Sequence, residues 1–313
     1  MATLARAAHW SCPPPLCPGD RVRIIAPSGP FDRTLLLRGA GWLAERYRVE
    51  FDRGIFAREG FLAGSDARRL AELDAALRCP DLRAVICARG GYGLSRIVYR
   101  ADLGALRRRP KWIVGFSDAT ALHLEASRAG VMSMHAHNAA GLGRADATAR
   151  ARWVAALERP ERPRRYERLA IWKRGRARGP IVGGNLTLVF TAAAAGKLDL
   201  PWGCLLLLED VTESSYRIDR MLTALLTSGQ LDRIAAVLVG ELTDCPAGPH
   251  GVSPEQVLQE RLGGLGVPVA AGLPVGHGRH NDPLPLGMEA ELDATGPTGA
   301  VLTVAPAKRS SPR

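Results

Sequence analysis

None of the six cysteines, Cys12, Cys17, Cys79, Cys87, Cys204 and Cys245, falls in a Cys-x-x-Cys pair. Neither a structural zinc site nor a disulfide framework is therefore signalled, and no metal or cofactor is expected. No uninterrupted apolar run approaches the roughly 20 residues of a membrane span, which removes the membrane as a partner. Residues 1–20 lack a continuous apolar region ahead of a cleavage site, because Cys12, Pro13-Pro14-Pro15 and Cys17 interrupt them. A cytoplasmic protein is expected. Lysine is scarce: only Lys111, Lys173, Lys197 and Lys308 stand among 42 basic residues. Against 31 acidic residues these leave a net charge of +11. Arginine in such excess, beside abundant alanine and glycine, reflects a GC-rich genome as readily as a function. The densest basic run, residues 159–178, holds Tyr166 and Trp172 but no nucleic-acid motif. It reads as a solvated linker, and nucleic acid is not expected as a partner.

What is present is ordinary globular composition, 46% hydrophobic and 23% charged over 313 residues, enough for two domains. Three short apolar runs, 21–26, 83–88 and 111–116, each end in a loop of small residues and are followed by helical spacing. These loops are Pro27-Ser28-Gly29-Pro30, Arg89-Gly90-Gly91-Tyr92-Gly93 and Ser117-Asp118-Ala119-Thr120. The alternation predicts an α/β fold: an N-terminal Rossmann-like parallel sheet with its ligand site at the carboxyl ends of the strands. The boundaries follow composition. Residues 1–18 form an extension, 19–145 the first domain, 146–178 a linker, and 179–313 a C-terminal domain richer in β-structure. Further strands are expected over 204–208, 235–239 and 267–271, a helix over 216–226, a hairpin over 293–304, and a frayed Arg-Pro tail.

The segment 111–128 carries the most chemistry. A strand breaks after Gly115-Phe116, Ser117 stands at the break, and a helix begins at once. Strand, sharp turn and helix is the setting of a nucleophile elbow, although Ser117 could equally cap the helix. A serine nucleophile needs a base and a group that orients the base. Of seven histidines, His277 stands in Gly276-His277-Gly278 just after a strand, while His123 reads as helical core. His135 and His137 could flank a pocket, but their spacing offers too few ligands for a metal. Glu209 ends the apolar run 205–208 and would be carried buried to the sheet edge, where an imidazole is a suitable partner. Asp210 competes for that role, with helix capping or a salt bridge to Arg217 or Arg220 as its alternative. The glycine loop after residue 88 could hold an oxyanion, carboxylate or phosphate on backbone N–H groups, yet it is neither a Walker A loop nor a Gly-x-Gly-x-x-Gly fingerprint.

Seven stretches in series resemble the LD-carboxypeptidase family of serine peptidases, which includes muramoyl-tetrapeptide carboxypeptidases and microcin C self-immunity peptidases. They are GDRVRIIAPSGP (19–30), FLAGSDARRLAELDAAL (61–77), ICARGGYGLSRI (86–97), GFSDATALH (115–123), GGNLTL (183–188), LLEDVTESSYRIDRML (207–222) and GLPVGHGRHNDPLPLG (272–287). The resemblance implies a metal-free triad of Ser117 as nucleophile, His277 as base and Glu209 as its partner. The backbone N–H groups of Gly91 and Asp118 would form the oxyanion hole. Arg89, Gly90, Tyr92 and Asn185 become substrate-binding candidates. It implies removal of a terminal D-alanine from a murein-derived tetrapeptide during cytoplasmic cell-wall recycling, by a homodimer. A same-fold peptidase or amidase acting on a peptide-nucleotide antibiotic, and a non-catalytic basic binding module, are the alternatives. Where many relatives carry His-Gly-Pro after the nucleophile helix, this chain reads His135-Ala136-His137-Asn138, which bears on the pocket wall.

Overall fold

The computed structural model describes residues 10–278 and 280–304; His9 and the tail after Val304 lie outside them. In chain order the first half holds β1 (Arg21–Ile25), α1 (Arg33–Ala44), β2 (Arg48–Glu50), α2 (Asp66–Arg78), β3 (Leu82–Cys87), α3 (Leu103–Arg108), β4 (Trp112–Gly115), α4 (Thr120–Arg128), β5 (Ser133–His135) and α5 (Ala139–Leu142). There follow α6 (Ala147–Glu158), β6 (Arg164–Lys173), β7 (Arg176–Asn185), α7 (Leu186–Ala194), β8 (Leu205–Val211), α8 (Ser215–Thr227), β9 (Ala236–Thr243) and α9 (Pro254–Gly263). The chain closes with β10 (Val269–Ala271), β11 (Leu284–Leu286), β12 (Glu289–Asp293) and β13 (Ala300–Val304).

Strands β1 to β5 form the expected parallel sheet, ordered β5-β4-β3-β1-β2. Its central strands β4 and, apart from Arg83, β3 are buried on both faces, as helix-covered parallel strands require. Between β3 and α3 the helical spacing expected after the glycine loop is instead two short 3-10 turns, 94–96 and 98–100. A sixth strand, β11, comes from the far end of the chain and pairs antiparallel with β5. The remaining seven strands close a barrel in the order β10-β6-β13-β12-β7-β8-β9. The expected hairpin is β12 paired with β13.

The segment read as a solvated linker, 146–178, is folded. It contributes α6 and the ten-residue β6, which pairs with β13 on one side and β10 on the other. Arginine density hid this strand, because only one of its faces meets the barrel core and the rest of its side chains reach solvent. The described part of the N-terminal extension also packs. Leu16 is buried and its N–H donates to Leu157 O at 2.9 Å, while Trp112 Nε1 donates to Pro14 O at 2.9 Å. No helix among the described residues is long and apolar enough to cross a membrane.

Candidate active site

The carboxyl ends of β1, β3 and β4 deliver three loops to one place. Buried Arg69, reaching in from α2, ties the loops after β1 and β3 together: its guanidinium donates to Pro27 O at 2.5 Å, Gly93 O at 2.8 Å and Gly64 O at 3.3 Å, and it pairs with Asp66. No local pattern marks this residue, since a helix arginine ordinarily faces solvent. Ser117 follows β4 at φ 66°, a conformation that costs a non-glycine residue energy. The strain is what an elbow imposes to lift a hydroxyl above the sheet edge. Ser117 makes no helix cap: α4 begins three residues later, after a 3-10 turn over 117–119. Asp118 turns inward, and its buried carboxylate accepts from Leu94 N–H at 2.9 Å, tying the glycine loop to the elbow. Burial pushes that carboxyl above its ordinary value.

From the barrel side, β8 carries Glu209 to the same edge. A break in the β8–β9 register falls between Leu208 and Asp210, and such a bulge re-aims the residue it leaves unpaired. Glu209 is fully buried, and its Oε2 lies 2.7 Å from His277 Nδ1. A carboxylate only accepts, so Nδ1–H donates and Nε2 faces away as the basic nitrogen. His135 Nε2 stands 3.9 Å from the other carboxylate oxygen. Burial alone raises the Glu209 carboxyl, but the two imidazoles outweigh it and hold the group below its ordinary value. Of the glycines flanking His277, Gly276 holds φ 139°, which L side chains rarely adopt, while a Cβ at Gly278 would displace the Glu241 carboxylate.

Ser117 and His277 line one cleft of about 710 Å³, together with Gly90, Gly91, Phe116 and Asn138. The Phe116 ring packs against the His277 ring at 4.8 Å. Arg58, Arg89 and Arg144 give the cleft a basic wall, and Arg89 is itself held by Pro30 O at 2.6 Å. Two sequence candidates stand apart from the lining. Tyr92 is exposed with its ring on Phe61, and Asn185 is buried, donating to Asp210 at 2.9 Å and capping α7. Asp210 is spent on the start of α7, accepting from Asn185 and Thr187, and not on Arg217 or Arg220. His123 is core: it bonds Gly115 O and Ser133 Oγ, both at 2.9 Å.

An elbow serine and a carboxylate-backed imidazole on one cleft define the class as a serine-type hydrolase. The LD-carboxypeptidase N-terminal domain matches residues 22–136, and the LD-carboxypeptidase C-terminal domain matches residues 178–292. The murein tetrapeptide carboxypeptidase of Pseudomonas aeruginosa is 34% identical over 287 residues, covering 87% of this chain and 93% of that protein. The muramoyltetrapeptide carboxypeptidase of Oxalobacter formigenes superposes with a TM-score of 0.81 at 26% identity, over 93% of this chain and all of that one. The microcin C7 self-immunity protein of Escherichia coli is 24% identical over 314 residues, covering 88% and 92%. The chain belongs to the LD-carboxypeptidase family and is a serine-type carboxypeptidase acting on peptides.

Proposed function

We propose that this enzyme removes the terminal D-alanine from the L,D-peptide bond of murein tetrapeptides, with Ser117 as nucleophile, His277 as base and Glu209 as its orienting partner. The observation that carries this reading is the 2.7 Å His277–Glu209 contact opening onto the cleft that the strained Ser117 shares. His277 Nε2 takes the Ser117 proton as Oγ attacks the carbonyl before the D-residue. The oxyanion is held by the backbone N–H groups of Gly91 and Asp118, on the glycine loop and the elbow, which approach so closely that a Cβ at Gly90 would stand 2.7 Å from Ser117 Cβ. The C–N bond then breaks, the imidazolium protonates the departing amine, and an acyl-enzyme remains. Water attacks it, giving its proton to the same histidine, and the shortened peptide leaves with Ser117 restored. A carboxypeptidase substrate ends in a free carboxylate, and Arg58 and Arg144 on the cleft wall suit it.

A murein peptide is favoured over a peptide-nucleotide because the aromatic rings lining the cleft are already engaged. Phe31, packed on Phe56, and Phe116, packed on His277, are both buried and present little ring face for a purine to stack on. The same reading extends to a cytoplasmic homodimer serving cell-wall recycling, and sedimentation at micromolar concentration should give twice the chain mass. The deciding experiment is mass spectrometry of murein tetrapeptide incubated with the enzyme. Wild type should release one D-alanine, and Ser117→Ala and His277→Ala should each be slower by several orders of magnitude, with Glu209→Gln less affected. Undiminished release by a folded Ser117→Ala protein would refute the assignment.

A further inference from the structure

Residues 137–177 lie between the two matched domains, and part of that stretch builds a second cavity of about 380 Å³. It is walled by α6, the turn after it, the start of β6 and Pro283, and shares no lining residue with the catalytic cleft. Its lining includes five arginines, at positions 152, 159, 162, 164 and 165. Three of the carboxylates near them are already committed. Asp282 accepts from Arg152 at 2.6 Å, Glu167 from Arg165 at 2.6 Å, and Glu158 from Arg46 at 2.6 Å and the Tyr47 hydroxyl at 2.7 Å. Arg159, Arg162 and Arg164 close no salt bridge among the described residues, and Glu161 acts on Arg164 only at a distance.

Arg164 is the telling member. Its Nη2 donates to Ala156 O at 3.2 Å, while Nη1 is buried and has no acceptor. A buried guanidinium N–H without a partner costs stability that a bound oxyanion would restore. Tyr166, on the same wall, adds a phenol that burial keeps protonated and so able to donate. We infer that this cavity binds the phosphoryl group of a small molecule, a phosphate monoester or diphosphate. Several planar guanidinium forks lining one cavity match a tetrahedral, multiply charged oxyanion better than a single carboxylate.

Calorimetric titration of the full chain with sodium pyrophosphate, at about 50 mM salt so that screening is weak, tests this directly. One site per chain is expected, weakened about tenfold or more by Arg164→Gln and by the paired Arg159→Gln, Arg162→Gln protein. The paired variant changes residues on the outer wall and answers the question even if Arg164→Gln fails to fold. Arg144→Gln, altered only in the catalytic cleft, should bind pyrophosphate as wild type does. Absence of binding, unchanged affinity in the paired variant, or loss of affinity in Arg144→Gln would each overturn the site. Citrate binding as tightly as pyrophosphate would overturn the phosphoryl assignment.

Discussion

Glu209 sits between two imidazoles, one bonded at 2.7 Å and the other, His135, at 3.9 Å from its free oxygen. Neither ring nitrogen of His135 has a hydrogen-bond partner, and the ring is fully buried against Phe116. Under the proposed mechanism, His135 helps position the carboxylate that orients His277. Replacing it by Asn should lower kcat by about ten- to a hundredfold, the equivalent of roughly 1–3 kcal/mol, with KM little changed. Steady-state kinetics beside a thermal melt will separate this from unfolding, and an unaltered kcat would remove His135 from the machinery. The sequence placed His135 near a pocket but not beside Glu209. That contact spans β5 and β8, from different halves of the chain, and no local spacing encodes it.

The elements show why the site has so little slack. The loop after β3 passes so near the elbow that a Cβ on Gly90 would stand 2.7 Å from Ser117 Cβ and 2.8 Å from its Oγ. Gly90→Ala should therefore displace the serine by a fraction of an ångström and cost about a hundredfold in turnover, while the sheet still folds. Active-site titration with a serine-reactive acylating probe would show the loss, and normal acylation would sink the argument. The strand-loop-helix rhythm of this half was legible, because parallel strands buried on both faces leave continuous apolar runs. Strand β6 was not, because a barrel strand with one exposed face in an arginine-rich protein carries too few apolar positions to stand out. Strand β11 escaped for another reason: three residues, one of them proline, take their order from pairing with β5.

At the scale of the whole molecule, acid should unfold the protein through its buried histidines. Burial pushes His123 down to about 3 and His137 down to about 4. Both stay neutral in the fold while the unfolded chain takes up protons below its ordinary value near 6.5. Stability is thus complete above that value and is lost as pH falls from there toward these lowered values. For His123 the loss by pH 4.5 is roughly 2–3 kcal/mol. Chemical denaturation at pH 7 and pH 4.5 measures it, and His123→Asn should flatten the dependence. A pH-independent midpoint would contradict the neutral, buried assignment.

The two halves meet where α4 starts. Thr120 Oγ1 accepts from Asn185 N–H at 3.0 Å, and Asn185 stands opposite Glu209 in the β7–β8 pairing. That junction helps bring the barrel's carboxylate to the serine of the sheet. By itself the sequence determined the parallel sheet and the sharp turn at Ser117, because each is a local pattern of apolar runs and small residues, and it put Glu209 and His277 forward as candidates through a charged strand end, flanking glycines and the family resemblance. Only the tertiary structure decided the closed barrel, the part of Arg69 and His135, and the arginine cavity. These depend on residues far apart in the chain being buried together, where an unpaired charge is costly and its partner becomes part of the fold.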